Sequence, residues 1–486
     1  MDQSPDLLTE RTVNFDSANA HIVTFGERAM LLHVPTTALF ELDALGIEVL
    51  KLVQSERNLE AGRIRATLSS RFPAEEVDAF IEQLIRLEVL RTEGETRPIN
   101  PARLRIDAYP LSTIVLNVNT GCNLACRYCY KEDLAIPAEG KRMGLEVAAR
   151  SVDLLLSQAE QRARVGVVFF GGEPLTNMTL IRQVVDYAET RAGALGKTVD
   201  FSLTTNATLL TDELIGYFDA HRFGISVSID GPRTLHDRNR RTIGDRGTYD
   251  VVARKVGLLL SRYRSKPVGA RVTLTAGTTE VELIHEHLRD RLGFHEVGYA
   301  PVTASDRADH VLSEAELAEV HAGFERLGEK YLAAALAGRN TGFSNMHQLM
   351  TDLHEGRRKA LPCGAGVGLL AVDHQGDLNL CHRFTGSQLP TFGNVDQGIA
   401  ADRLGAFLEH AADRNGTHCA TCHIRNICAG GCYHESWVRY GDPHHRTYHY
   451  CNLLRRWVDF GIRVYAEISA RNPQFFSAHI EPRRAA

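Results

Sequence analysis

Between Thr113 and Ala300 six short apolar runs alternate with helix-periodic segments, and this alternation limits the fold more than any other feature of the chain. The runs lie at 113–118, 165–170, 199–204, 224–228, 271–275 and 296–300, with amphipathic patterns between them at 145–160, 180–192, 212–221, 251–263 and 281–292. A strand that is followed by a helix and then by another strand returns to the same end of the sheet, so repetition builds a parallel sheet. Six units predict an α/β fold, a partial (β/α)6 barrel over residues 111–302, with its chemistry at the C-terminal strand ends.

The 486 residues leave room for two further units. Residues 1–95 show apolar strands at 21–24 and 29–34, a Pro35-Thr36-Thr37 turn, and helical patterns from Leu42, Leu59 and Pro73. Strands followed by three helices resemble a winged helix. This unit carries 9 basic and 17 acidic residues, a net charge of −8, which repels phosphates, so a peptide partner is expected and nucleic acid is not. Residues 96–110, with Pro98, Pro101 and Pro110, read as a linker. Residues 303–360 read as a helical bridge, and residues 361–486 as a Cys- and His-rich domain with one final helix at about 450–470. Asp2, Asp6 and Glu10 stand where a secretion signal needs a basic and then an apolar stretch, and no run of about 18 apolar residues occurs. The expectation is a cytoplasmic protein with no membrane partner. In that reducing compartment ten Cys are a metal-ligand set rather than a disulfide scaffold.

Directly after the first strand stands Gly121-Cys122-Asn123-Leu124-Ala125-Cys126-Arg127-Tyr128-Cys129-Tyr130. Three thiolates from one loop hold three corners of a [4Fe–4S] cluster and leave the fourth iron open to a substrate or cofactor. A structural zinc site wants four Cys or His ligands, and no His is near in sequence.

This Cys-x3-Cys-x-aromatic-Cys motif resembles that of the radical S-adenosylmethionine (SAM) superfamily, and later strand ends resemble it too. Phe170-Gly171-Gly172-Glu173-Pro174 follows the second strand, Thr204-Thr205-Asn206 the third, and Ser226-Val227-Ser228-Ile229-Asp230-Gly231-Pro232 covers the fourth. His236-Asp237-Arg238-Asn239-Arg240 matches a family segment. The resemblance implies that Cys122, Cys126 and Cys129 hold the cluster and that Gly171, Gly172 and Glu173 hold the SAM amino group. It places Asn206, Ser226 and Ser228 on the ribose and carboxylate, and counts Tyr128 with the cofactor contacts. Arg240, a planar fork, is the expected partner of the carboxylate. Any one of these segments alone reads better as an ordinary strand-to-helix turn; their order along the chain is what argues otherwise.

The remaining cysteines run Cys363, Cys381, Cys419, Cys422, Cys428, Cys432 and Cys451, with Gly376 in a hairpin turn before Cys381. The spacing resembles the SPASM domain of peptide- and protein-modifying enzymes, which holds auxiliary iron–sulfur clusters. Carried over by position, Cys419, Cys422, Cys428 and Cys451 complete one cluster and Cys363, Cys381 and Cys432 hold another. Some relatives have a further Cys where Leu369 stands, so the latter cluster has an open iron, a smaller nuclearity, or a ligand from elsewhere. His382, His423, His434, His444, His445 and His449 are candidates. A tetrahedral zinc at Cys419, Cys422, Cys428 and Cys432 is the rival reading. Sulfatase-maturing relatives carry an Asp base directly after the second SPASM Cys; here His382 takes that place, and an imidazole also accepts a proton near neutral pH.

The Pro35–Phe40 segment, numbers 35–40, resembles the peptide-recognition element of ribosomal-peptide maturases, which pairs a leader peptide against a sheet edge. Residues 129–134, the segment Gly293-Phe294-His295-Glu296 and the tail Asn472-Pro473-Gln474-Phe475-Phe476 are similar to the family of quinohemoprotein amine dehydrogenase maturation proteins. That resemblance implies an oxidoreductase that joins Cys sulfur to a methylene carbon of Asp or Glu within the dehydrogenase's small subunit. It implies SAM, the [4Fe–4S] cluster and two auxiliary clusters as cofactors, the small subunit as partner, and a reducing donor such as flavodoxin or ferredoxin. A three-Cys auxiliary cluster could bind a substrate thiolate or accept the electron left by C–S bond formation. The same architecture serves other peptide thioethers, carbon–carbon cross-links and formylglycine formation, and a small-molecule substrate would leave residues 1–95 without a task.

Overall fold

The computed structural model describes residues 6–93, 111–130, 140–159, 161–303, 308–446 and 448–480. The expected linker at 96–110 and most of the 129–134 segment lie outside the described residues.

The six parallel strands run Thr113–Asn117, Arg164–Phe170, Thr198–Thr205, Gly224–Ser228, Val268–Leu274 and Glu296–Pro301, paired in sequence order. Each carries β-branched or aromatic residues on the face that packs against the surrounding helices, and Val167, Phe169, Phe201, Leu203 and Val227 are almost fully buried. The order of the strands follows from the short helical crossovers, which bring each strand to the edge left by the last.

The free edge of the first strand is occupied by an element from the Cys-rich region. Leu369–Val372 pairs with it in parallel, Leu369 opposite Thr113, and Leu378–Asn379 returns antiparallel as an eighth strand. The hairpin between them is the expected one: Asp373 Oδ1 accepts from the amides of Gln375 and Asp377 at 2.9 and 3.0 Å, and Gly376 takes φ +89°. A boundary at residue 361 therefore cuts through the barrel sheet. This pairing delivers Cys381 and His382 to the mouth of the barrel.

The bridge consists of helices Glu314–Leu336 and Ser344–His354, the first started by a capping box in which Ser313 and Glu316 satisfy each other's amides. It packs against the C-terminal helix Cys451–Arg471. The Cys-rich region is more helical than its sequence suggested, with Ala401–Ala412 and Tyr433–Tyr440 as further helices. Leu404, Phe407, Leu408 and Ala411 form an apolar stripe at helical spacing, a signal that the density of Cys and His obscured. The tail packs inward: the Phe475 ring lies 5.8 Å from Tyr331, edge to face, and Phe476 stacks on His354 at 4.6 Å.

The N-terminal unit has the expected strands and three helices, Ala44–Ser55, Ala61–Leu68 and Ala74–Arg86. It also has a third strand, Ala38–Glu41, at the edge of a sheet with Ala20–Phe25 and Arg28–His33. A separate small sheet joins Thr12–Phe15 to Leu59–Glu60 and Leu90–Thr92. The 20–41 sheet is covered on both faces. Ala29 and Leu31 enter the unit's own core, while Val23, Met30, Leu32 and Val34 enter the core shared with the barrel and C-terminal helix. The unit therefore does not bury its apolar surface alone. Among the described residues no helix is long and apolar enough to cross a membrane.

Candidate active site

The loop that follows the first strand is held from two sides. The amides of Ala125 and Arg127 donate to the carbonyls of Arg241 and Asn239 at 2.8 and 2.9 Å. Asn206 donates from Nδ2 to Asn123 Oδ1 at 2.9 Å, and Asn123 donates to Thr208 Oγ1 at 2.8 Å. The loop is thus fixed to the end of the third strand and to the end of the short helix Arg233–Asn239 that follows the fourth, and Cys122, Cys126 and Cys129 all line one cavity. Burial pushes the Cys122 thiol up to about 12 and Cys126 up to about 11. Such thiols ionise when a metal takes the place of the proton.

The glycine-rich segment lies directly against this loop. The amides of Gly172 and Glu173 donate to the carbonyls of Asn119 and Gly121, each at 3.1 Å. A Cβ on Gly172 would collide with the carbonyl of Gly121, and one on Gly171, at φ +147°, with that of Asn119. Glycine is required here by the close approach of two backbones. Glu173 is 1% exposed, and its carboxylate accepts from Thr205 Oγ1 at 2.7 Å and from the amides of Asn206 and Leu175 at 2.8 and 3.1 Å. Burial still prevails over these donors and holds its carboxyl up at about 7. A cation arriving in the cavity would supply the missing countercharge.

Arg240 lines the cavity, but its fork is engaged by Asp230, with Nε and Nη2 at 2.9 and 3.1 Å from the two carboxylate oxygens. Asp230 also accepts from the Tyr128 hydroxyl at 2.7 Å and the Thr273 amide at 3.1 Å, and the guanidinium sits 5.4 Å from the Tyr128 ring centre. The sequence reading named Arg240 and Tyr128 as cofactor contacts and gave Asp230 no role. The structure makes Asp230 the hub that orients both; its spacing of ten residues from Arg240 gave no sign of the pairing. Asn206 and Ser228 line the cavity, whereas Ser226 lies one pleat deeper on the same strand face and does not.

The cavity is about 430 Å³, and part of its wall comes from the Cys-rich region. His382 packs on Phe170 with ring centres 4.1 Å apart, and Arg383 hydrogen-bonds Thr303 and lies 5.0 Å from the Tyr130 ring centre. Tyr130 stands between two thiol groups, within the electrostatic reach of both Cys129 and Cys381. Tyr130 and Arg383 are site residues that the sequence reading did not single out. Tyr130 was visible next to Cys129, but only the tertiary fold sets it against Cys381.

The other thiols lie in two groups. Cys419, Cys422, Cys428 and Cys451 line one pocket of about 180 Å³ with Arg425, Arg446 and Arg455, and Arg455 Nε lies 3.5 Å from Cys422 Sγ. Three guanidiniums suit the negative charge of a thiolate-held cluster. Cys363, Cys381 and Cys432 form the second group, each thiol within range of another's charge. Four sulfurs at ~2.3 Å around one zinc ion lie only ~3.8 Å apart. Among the described residues the one trio of Cys, His, Asp or Glu ligand atoms within 4.8 Å of each other is His21, His423 and Asp459, so no three thiols are that close. The rival reading of one tetrahedral zinc ion at Cys419, Cys422, Cys428 and Cys432 needs that spacing, and the thiols as they stand do not have it. Of the histidines offered as extra ligands, His444 bonds the Phe407 carbonyl at 3.1 Å, His449 pairs with Glu435 at 3.3 Å, and His445 stacks on Tyr440. His434 packs against Tyr130 and Phe384.

Residues 116–290 match the family described as the Radical SAM superfamily. A serine-type anaerobic sulfatase-maturating enzyme of Bacteroides thetaiotaomicron is 32% identical over 159 residues, 31% of this chain and 37% of that protein. One from Klebsiella aerogenes is 23% identical over 332 residues, 66% of this chain and 80% of its own. The matches span only 37% to 41% of the first five curated relatives. Among solved structures, anSMEcpe with bound AdoMet superposes with a TM-score of 0.63 at 18% identity, covering 75% of this chain and 100% of that one. SuiB of Streptococcus suis bound to the precursor peptide SuiA gives 0.51 at 15% identity, covering 90% and 99%. At these identities the two structures establish a common fold: a partial barrel with a Cys-rich C-terminal region.

Proposed function

We propose that this chain, whose residues 116–290 form a radical SAM domain, is a SAM-dependent enzyme that forms intrapeptidyl thioethers, joining Cys sulfur to a methylene carbon of Asp or Glu. Its substrate in this reading is the small subunit of a quinohemoprotein amine dehydrogenase, met in the cytoplasm, with a flavodoxin or ferredoxin as electron donor. The observation that carries it is the shared wall of the cavity: the loop of Cys122, Cys126 and Cys129 faces His382 and Arg383, the residues that follow Cys381. Relatives named as sulfatase-maturating enzymes, and the SuiB complex with a precursor peptide, support a peptide as the substrate class.

A [4Fe–4S] cluster with SAM, when bound, supplies the oxidant that removes a hydrogen atom from an unactivated C–H bond. Cys122, Cys126 and Cys129 would hold the cluster, and Glu173 would pair with the SAM ammonium while Gly171 and Gly172 let the backbone approach. Ser226, as part of this cofactor set, would act through Ser228 above it. Cys363, Cys381 and Cys432 would hold one auxiliary cluster beside the cavity, and Cys419, Cys422, Cys428 and Cys451 the other, farther away. Joining the carbon radical to a thiol releases a proton and an electron; the electron would pass to the cluster of Cys363, Cys381 and Cys432, and His382, half-buried against Phe170, would take the proton. The edge strand Ala38–Glu41 offers a free ladder for an extended leader peptide.

The test is the intact mass and thiol count of the small subunit before and after anaerobic incubation with the reduced enzyme and SAM. Loss of a pair of hydrogens per bond, with an equal loss of titratable thiols, is the expected result. SAM cleavage with an unchanged substrate mass would replace the small subunit by another ribosomally made peptide. His382→Gln should keep SAM cleavage and lose cross-linking; cross-linking at the wild-type rate would remove His382 as the base.

A further inference from the structure

The three side chains His21, His423 and Asp459 come from the N-terminal sheet, the Cys-rich region and the C-terminal helix, and they meet at one point. His21 Nε2 lies 2.9 Å from Asp459 Oδ1, and His423 Nε2 lies 3.5 Å from the same oxygen. The two imidazoles stack with centres 3.7 Å apart and planes 14° from parallel. Their ligand atoms and the carboxylate oxygen all lie within 4.8 Å of one another. The His21 nitrogen hydrogen-bonds the carboxylate, whereas the buried His423 Nε2 reaches the same oxygen only by the longer 3.5 Å contact. A buried polar nitrogen held only by so long a contact favours a ligand that engages it more closely. Asp459 is held ionised: burial opposes its charge, and the contacts to His21 and His423 outweigh it.

We infer that His21, His423 and Asp459 form a binding site for one divalent transition-metal ion of the zinc class, separate from the three thiol groups. Two imidazoles and a carboxylate are a zinc donor set, and the nitrogen–oxygen separations of 2.9 and 3.5 Å bracket the ~3.3 Å edge of a tetrahedron with ligands at ~2.0–2.1 Å. Bringing the ion into both ring planes fans the stacked imidazoles apart, exchanging one stacking contact for two coordination bonds. The site has a structural consequence. His423 follows Cys422, and Asp459 is one turn beyond Arg455, which donates to Cys422 Sγ at 3.5 Å. His21 belongs to the sheet whose far edge is Ala38–Glu41. An ion here ties the N-terminal sheet to the pocket of Cys419, Cys422, Cys428 and Cys451.

The full-length protein, with its iron restored anaerobically, is exposed to excess Zn2+, desalted, and analysed for zinc and iron per chain. The expected result is one retained zinc in the wild type and a loss of at least tenfold in occupancy in both Asp459→Asn and His21→Gln, with iron unchanged. A wild type that retains no zinc, or variants that retain it fully, would overturn the site. X-ray absorption at the zinc edge of the wild type decides the case if a variant loses its iron or its fold. A nitrogen/oxygen shell at ~2.0–2.1 Å supports the assignment, and a sulfur shell at ~2.3 Å places the zinc on cysteines and refutes it. These readouts do not depend on what peptide the enzyme modifies.

Discussion

Arg240 grips Asp230 through both Nε and Nη2, at 2.9 and 3.1 Å, and the two side chains are 9% and 4% exposed. A residue expected to reach for a cofactor carboxylate is thus first a structural partner of a carboxylate of its own. Its remaining nitrogen can still face the cavity, but its orientation is set by Asp230.

Removing Asp230 should cost more than removing an ordinary buried contact, because it leaves a guanidinium buried and unpaired. Asp230→Ala is expected to lower the unfolding free energy by about 3–5 kcal/mol in urea denaturation, and Asp230→Leu with Arg240→Met to regain much of it. A loss of under about 1 kcal/mol for the single variant would mean that solvent reaches the pair.

Glu173 should make SAM affinity depend on pH. Its carboxyl is raised from 4.5 to about 7, so folding binds its proton more tightly than the unfolded chain does. The stability linked to that proton is fully present below pH 4.5 and is lost as pH rises through about 7. In the free protein a cationic ligand competes with that proton. SAM affinity, measured by calorimetry on the cluster-loaded protein, should rise up to tenfold per pH unit below about 7 and then level off. Glu173→Gln should weaken binding and flatten the profile; an unchanged profile would assign the pH dependence to another group.

Gly172 separates two backbones that a methyl group would push apart. Gly172→Ala should displace the Cys122 loop and cost about four iron atoms per chain while the auxiliary thiol groups keep theirs, as read by iron analysis and electron paramagnetic resonance. Full iron with intact SAM cleavage would show that the loop can move without losing its cluster.

The peptide edge can be tested without removing the N-terminal unit. Met30, Leu32 and Val34 belong to the main core, so deleting residues 1–95 would expose that core and confound loss of recognition with unfolding. The Leu42 amide donates inward to Ala29, so in the alternating ladder the Glu41 amide points out from the free edge. Glu41→Pro removes that donor while leaving the inner ladder paired. It should reduce peptide modification several-fold at limiting substrate and leave SAM cleavage without peptide unchanged; equal modification rates would move leader binding away from this edge.

Much of this molecule was legible in its residues. The six barrel strands, their order and the glycine-rich segment after the second followed from period and punctuation, which are local properties of the chain. The closeness of Cys122, Cys126 and Cys129 followed from short spacings in one loop, whereas the separation of Cys432 from Cys419, Cys422 and Cys428 was implied only by the resemblance, since spacing alone would have grouped all four. The third strand at Ala38–Glu41 was missed because four residues after a proline turn carry too little periodicity, and its stability comes from the neighbouring Arg28–His33 strand.

What only the tertiary structure decided are the meetings between segments distant in sequence. Leu369–Val372 closes on the first barrel strand and so sets His382 against Phe170; Asp230 captures Arg240; His21, His423 and Asp459 converge from three regions. No local preference encodes such contacts, because they depend on how entire sheets and helices bury their apolar faces together. The sequence by itself determined which chemical groups are available and the barrel that carries them. The packing of that barrel against its flanking units determined which of those groups share a site.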